Sequence, residues 1–124
     1  YFLCINAPSS PDTIKFLNAE RIALLPQGAV IVNTARGNLV DDDALVEALE
    51  SGKVFAAGLD VYDGEPNIHP GYVTCPNTFL LPHLGSATHD TRDHMGFLCL
   101  DNLDAYFAAR PCPNAVAPPQ RPAH

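Results

Sequence analysis

The sequence predicts an α/β protein built on a mostly parallel sheet, and three observations carry that prediction. Short apolar runs alternate with capped or amphipathic segments in the order strand, helix, strand, helix, strand, loop, strand, helix. The run Ala29-Val30-Ile31-Val32-Asn33 is apolar and β-branched almost throughout, as expected of a central parallel strand covered on both faces. Polar residues follow every apolar run: Asn6, then Asn33-Thr34-Ala35-Arg36, then Asp60, then His83. In a parallel sheet these four positions fall at one edge, the carboxyl end, where such sheets bind ligands.

Each element has its own signal. Phe2-Leu3-Cys4-Ile5, closed by Asn6-Ala7-Pro8, reads as a short buried strand. S-S-P-D-T is a loop and helix-start signal, and Asn18 is a good N-cap for a helix to Leu25 with Ile22 and Leu25 on one face. Pro26-Gln27-Gly28 ends that helix. Asp41-Asp42-Asp43 sets carboxylates at the positive end of a helix dipole, Ala44, Leu45, Ala48 and Leu49 form its apolar stripe, and Gly52 stops it. Phe55-Ala56-Ala57-Gly58-Leu59 reads as another buried strand. The Gly/Pro/Asn-rich stretch from Asp63 to Asn77 is expected to be a loop before the short strand Thr78-Phe79-Leu80-Leu81. Thr88 to Phe107 forms one long helix with Met95, Leu98, Asn102, Ala105 and Tyr106 marking a face. The proline-containing tail from Pro111 to His124 is expected to be irregular.

Composition narrows the function classes. A chain of 124 residues has room for one domain and can bury a core without disulfide or metal staples. Fourteen Asp and Glu against seven Lys and Arg give a net charge of −7, and no basic run occurs, so nucleic acid is not an expected partner. No apolar run approaches the ~18 residues needed to cross a bilayer, so no membrane partner is expected. YFLCINAP has neither the basic region nor the cleavage site of a signal peptide. Cys4, Cys75, Cys99 and Cys112 form no C-x-x-C pair and no disulfide framework, which fits four reduced thiols in a cytoplasmic chain. His89 and His94 have the wrong spacing for one helical face and no H-E-x-x-H occurs, so no metal is expected.

Three residues can carry chemistry. Arg36 follows an apolar strand and can present two parallel N–H donors to a planar carboxylate, which a lysine cannot do. Glu65 precedes Pro66, and His83 stands between Pro82 and Leu84-Gly85-Ser86. An imidazole held by a carboxylate has its charged form favoured and is suited to give up a proton near neutral pH.

Three blocks carry a resemblance: Val32-Asn33-Thr34-Ala35-Arg36-Gly37-Asn38-Leu39-Val40-Asp41, Gly58-Leu59-Asp60-Val61-Tyr62-Asp63-Gly64-Glu65-Pro66 and Pro82-His83-Leu84-Gly85-Ser86-Ala87-Thr88. They closely resemble, in order and spacing, the signature blocks of the D-isomer-specific 2-hydroxyacid dehydrogenases. The likeness runs from about Leu3 to Phe107. Glu65-Pro66-Asn67-Ile68 followed by Gly71-Tyr72 looks most like the glyoxylate/hydroxypyruvate reductase (glycerate dehydrogenase) branch.

The resemblance implies the latter half of a Rossmann-like doubly wound parallel sheet plus a long C-terminal helix. Residues 1–108 would be a partial dinucleotide-binding domain with a returning helix at 88–108, followed by the irregular tail 109–124. It implies an NAD(P)-dependent enzyme acting on a small 2-oxo or 2-hydroxy acid, homodimeric in its full-length form. Arg36 would bind the substrate carboxylate, His83 would be the acid/base, and Glu65 would orient His83. Asp60 would contact the nicotinamide carboxamide, Thr34, Ala35 and Arg36 would line the nicotinamide ribose side, and His83, Gly85 and Ser86 would lie beside the ring. Ala7, Pro8 and Thr13 would border the adenosine-diphosphate half.

The sequence also departs from that family. No G-x-G-x-x-G occurs, and the residue that selects NAD or NADP is absent as well. The chain therefore looks like the C-terminal part of a longer enzyme, expected to be inactive alone. Two other readings share the resemblance. Corepressor-like proteins of the same fold bind partners without catalysis, and formate-dehydrogenase-type relatives carry Gln where Glu65 stands.

Overall fold

The computed structural model describes residues 1–116, so the final three prolines of the tail lie outside the described residues. The chain divides into two compact units, Tyr1–Gly85 and a second beginning at Ser86. In the first, four parallel strands, β1 (Phe2–Ile5), β2 (Ala29–Asn33), β3 (Val54–Leu59) and β4 (Thr78–Leu80), lie in the order β1-β2-β3-β4. Helices α1 (Ala19–Leu24), α2 (Asp42–Glu50) and α3 (Pro70–Thr74) connect them in turn. All four carboxyl ends consequently share one edge.

Helix α2 packs on β3, and α1 and α3 pack on α2, so the helices of this unit gather over one face of the sheet. Register places Ile5 beside Asn33, Ile31 beside Ala57, and Asn33 beside Leu59. These side chains face the core formed with Leu39, Leu45, Leu49 and Tyr72. Burial of that apolar area, at roughly 25 cal/mol per Å², is the main favourable contribution to folding.

Three expectations change. The strands are not buried on both faces, for Phe2 is 79% exposed and Phe55 and Phe79 each 68%. Strand side chains alternate, and the helices of this unit cover only one side, so Phe2 and Cys4 of β1, Phe55 of β3 and Phe79 of β4 stay open. In central β2 the same alternation leaves Val30 and Val32 half-buried. Next, S-S-P-D-T starts no helix; Thr13 instead closes a turn, its hydroxyl donating to the Pro8 carbonyl at 2.9 Å and accepting the Ser10 amide at 2.8 Å. The helix begins where Asn18 accepts the Arg21 amide, at 3.0 Å. Finally, the expected loop from Asp63 to Asn77 contains α3. Pro70 opens it, the His69 ring caps it by accepting the Gly71 amide at 3.2 Å, and the buried Tyr72 hydroxyl donates to Asp42 at 2.8 Å. A five-residue helix with one buried side chain leaves no period to read.

The second unit is built on α4 (His89–Phe107), capped by Thr88, whose hydroxyl accepts the Thr91 amide at 3.2 Å. Its expected face is only partly realised: Ala105 is buried, Leu98 and Asn102 are half-buried, and Met95 and Tyr106 are exposed. Asn102 acts as a polar clasp. Its side-chain oxygen accepts the Asn114 amide at 3.2 Å and its nitrogen donates to the Leu98 carbonyl at 2.7 Å.

Candidate active site

The carboxyl edge is assembled from three loops that brace one another. Asn33, the last residue of β2, is 1% exposed and uses its whole amide locally. Its oxygen accepts the Ala35 amide at 3.0 Å and its nitrogen donates to the Arg36 carbonyl at 2.9 Å. A buried amide needs these partners, and meeting that need closes the Thr34-Ala35-Arg36 loop. Arg36 sits in extended backbone at the start of a short 3-10 turn, Gly37–Leu39, with its side chain exposed. Gly37 lies flat against the loop beyond β3: a Cβ there would stand 1.8 Å from the Tyr62 carbonyl carbon.

Asp60 follows β3 and is 6% exposed. Its two carboxylate oxygens accept the amides of Leu84 and Gly85, at 2.7 and 3.0 Å. The structure thus gives Asp60 the work of holding the loop beyond β4, a role the sequence did not suggest. That loop carries His83 in the left-handed region, at φ +56°. Left-handed backbone is uncommon outside glycine, although His is among the residues enriched there, and it requires support from its surroundings.

Glu65 joins the two loops. One carboxylate oxygen accepts the Tyr62 amide at 2.9 Å, and the other meets His83 Nδ1 at 2.7 Å. The hydrogen bond from His83 is the largest influence on this carboxyl and holds it below its ordinary range; the Tyr62 amide adds to that, and the Arg36 charge contributes less. Glu65 is therefore ionised at neutral pH and can only accept. It follows that His83 Nδ1 carries a proton and donates it, leaving Nε2 as the nitrogen free for chemistry. A carboxyl whose folded pKa is depressed contributes stability above its unfolded value, and that contribution is lost as pH falls through the folded one.

Two clefts adjoin these groups. One, of about 330 Å³, runs beside the Glu65–His83 pair and is lined by Tyr62, Pro66, Ile68, Leu80, Leu81 and Pro82. The other, about 590 Å³, lies at the carboxyl ends of β1 and β2 between Asn6-Ala7-Pro8-Ser9 and Thr34-Ala35-Arg36. Thr13 does not line this second cleft but ties down the loop that does. Gly85 lies over the Asp60 carboxylate, whereas Ser86 is exposed and opens the second unit. Three residues that shape the edge had no assigned role in the sequence: Asn33, Gly37 and Tyr62. A polar residue ending an apolar strand was a usable signal for Asn33; the other two act through close approach and side-chain reach, which sequence does not display.

Known proteins resemble this chain in sequence and fold. The family model described as D-isomer specific 2-hydroxyacid dehydrogenase, NAD binding domain, matches residues 1–85. The chain is 50% identical over 116 residues to a glycerate dehydrogenase of Hyphomicrobium methylovorum, covering 94% of this chain and 36% of that protein. It is 39% identical over 118 residues to glyoxylate/hydroxypyruvate reductase B of Serratia proteamaculans, again covering 94% and 36%. Among solved structures, an NADPH-dependent glyoxylate/hydroxypyruvate reductase of Sinorhizobium meliloti, in complex with NADP and malonate, superposes with a TM-score of 0.88 at 40% identity. That superposition covers 94% of this chain and 36% of the other. The chain thus spans about a third of the length of the curated relatives it matches.

Proposed function

Because the chain belongs to the D-isomer-specific 2-hydroxyacid dehydrogenases and matches their NAD-binding domain, we propose that it carries the catalytic edge of an NAD(P)-dependent reductase. The substrate is a small 2-oxo acid of the glyoxylate or hydroxypyruvate class, and the product is the corresponding 2-hydroxy acid. The form this reading carries is a cytoplasmic homodimer. The observation that supports it most is the 2.7 Å Glu65–His83 pair, set at the carboxyl edge of a parallel sheet with Arg36 on the adjoining loop.

The cleft at the ends of β1 and β2 fits part of a nicotinamide dinucleotide. Its lining is small and mostly uncharged, so a ligand can approach backbone at Ala7, Pro8, Thr34 and Ala35. The glycine-rich pyrophosphate turn is not among these 124 residues, so the fit concerns the flanks of such a cofactor and not its anchor. When bound, the cofactor supplies the hydride for reduction. Arg36 binds the substrate carboxylate through paired N–H donors and fixes the neighbouring carbonyl. His83 gives its Nε2 proton to the carbonyl oxygen. Glu65 keeps Nδ1 protonated and the ring oriented, while Asp60 holds the loop beneath it.

Assay of the whole protein with glyoxylate and hydroxypyruvate, against NADH and NADPH, tests this reading together with one variant. Arg36→Lys keeps the charge but loses the paired donors, which should cost about 2–4 kcal/mol in kcat/KM, or roughly 30- to 1,000-fold. No turnover with either cofactor, or an Arg36→Lys enzyme of unchanged kcat/KM, would overturn it.

A further inference from the structure

We propose that Tyr62 is the positioning residue of the Glu65–His83 pair, its amide holding the carboxylate and its hydroxyl holding the strand end that delivers the imidazole. The inference rests on the function proposed above, since the group it positions is the proposed acid.

Two hydrogen bonds from one residue carry it. The Tyr62 amide donates to Glu65 at 2.9 Å. The Tyr62 hydroxyl lies 2.8 Å from the Leu81 carbonyl and 2.9 Å from that of Leu59. A phenol has one proton to give, and the two carbonyls are not equivalent. Leu59 already accepts the Leu81 amide at 2.9 Å, the last rung between the two chains. Beyond that rung the chain after β3 turns to β2, where Asp60 donates to Asn33 at 3.0 Å. Among the described residues no backbone amide donates to the Leu81 carbonyl. The proton therefore goes to Leu81. The side chain of Tyr62 supplies the rung that the backbone cannot.

The consequence falls on His83, two residues on. Its left-handed backbone is held downstream by Asp60, through Leu84 and Gly85, and upstream by Tyr62, through Leu81. Both holds come from the loop that begins at the end of β3, which also carries Glu65. Proton acceptor and imidazole are thereby kept in register from a single loop. Tyr62 is 9% exposed, and burial pushes its hydroxyl above the usual phenol range, so it remains a donor throughout the neutral range.

The test reads Glu65 directly, by carbon-13 NMR titration of its carboxyl in the whole protein. His83 and Arg36 are the charged groups that act on this carboxyl, and the Tyr62 amide persists in every variant. His83→Ala should raise the titration midpoint towards the ordinary carboxylate range. Tyr62→Phe should raise it part of the way, and the double variant should go no further than His83→Ala alone. Replacing Tyr62 with 3-fluorotyrosine, which retains a stronger donor, should leave the midpoint at or below that of the wild type. This replacement also keeps the question open to test should Tyr62→Phe fail to fold. A midpoint unmoved by Tyr62→Phe, an additive double variant, or a raised midpoint with 3-fluorotyrosine would overturn the inference. Turnover separates the two claims. The expected titrations in a protein that reduces no 2-oxo acid would sink the proposed function alone, whereas normal turnover with unmoved titrations would sink the role of Tyr62 alone.

Discussion

Gly37→Ala is expected to destabilise the first unit by about 3 kcal/mol or more, at the upper end of what overpacking costs. The added methyl would meet the Tyr62 carbonyl carbon at 1.8 Å and the Asp63 amide nitrogen at 2.2 Å. Both obstacles are backbone, so no side-chain rotation relieves the clash, and the two loops must separate. For a unit of this size the loss corresponds to a fall in Tm of roughly 10–20 °C, measurable by circular dichroism. Because Gly37 presses on the peptide that follows Tyr62, the residue whose own amide holds Glu65, the damage should spread to the pair. A Tm within a few degrees of the wild type would mean that the loops separate freely and do not brace each other.

His83→Gln should produce the largest catalytic loss. A positioned general acid contributes about 10²- to 10⁴-fold, and a glutamine cannot deliver the proton that an imidazolium gives. The loss should appear in kcat for reduction, with KM for the 2-oxo acid nearly unchanged, because Arg36 still binds the carboxylate. A fall of less than tenfold would remove His83 from the acid role.

How far the sequence could be read depended on whether a feature was periodic, local or spatial. Alternating apolar runs placed the four strands and the helices α1, α2 and α4 close to where they lie, because pattern and caps are local. Asn18 before α1 shows this well, since it caps through its own side chain. The depth of burial was not legible. Phe2 and Phe79 look like core residues in sequence, yet they stand on the face that this unit's helices leave open. Helix α3 was missed because its hold on the fold is the Tyr72–Asp42 hydrogen bond, made across 30 residues. At the candidate site, the polar strand ends located the edge, and the resemblance suggested roles for Arg36, Glu65 and His83. Residue spacing alone could not bring Glu65 and His83 together, and their 2.7 Å contact is a product of the fold. The bracing by Gly37, Tyr62 and Asp60 was invisible for the same reason, because each reaches a loop far from it in sequence, whereas Asn33 acts on its own loop, two and three residues on.

The central claim is that an ionised Glu65 holds the His83 ring and its Nδ1 proton in place for transfer from Nε2, and kcat for reduction by a Glu65→Gln enzyme tests this most directly. The variant removes the carboxylate that accepts from Nδ1 while leaving Arg36 and Asp60 in place. With the ring no longer held by that carboxylate, kcat should fall about tenfold or more while KM for the 2-oxo acid stays nearly unchanged. If kcat stays at the wild-type level while His83→Gln still abolishes reduction, the pairing does not serve the acid and the account is wrong on its main point.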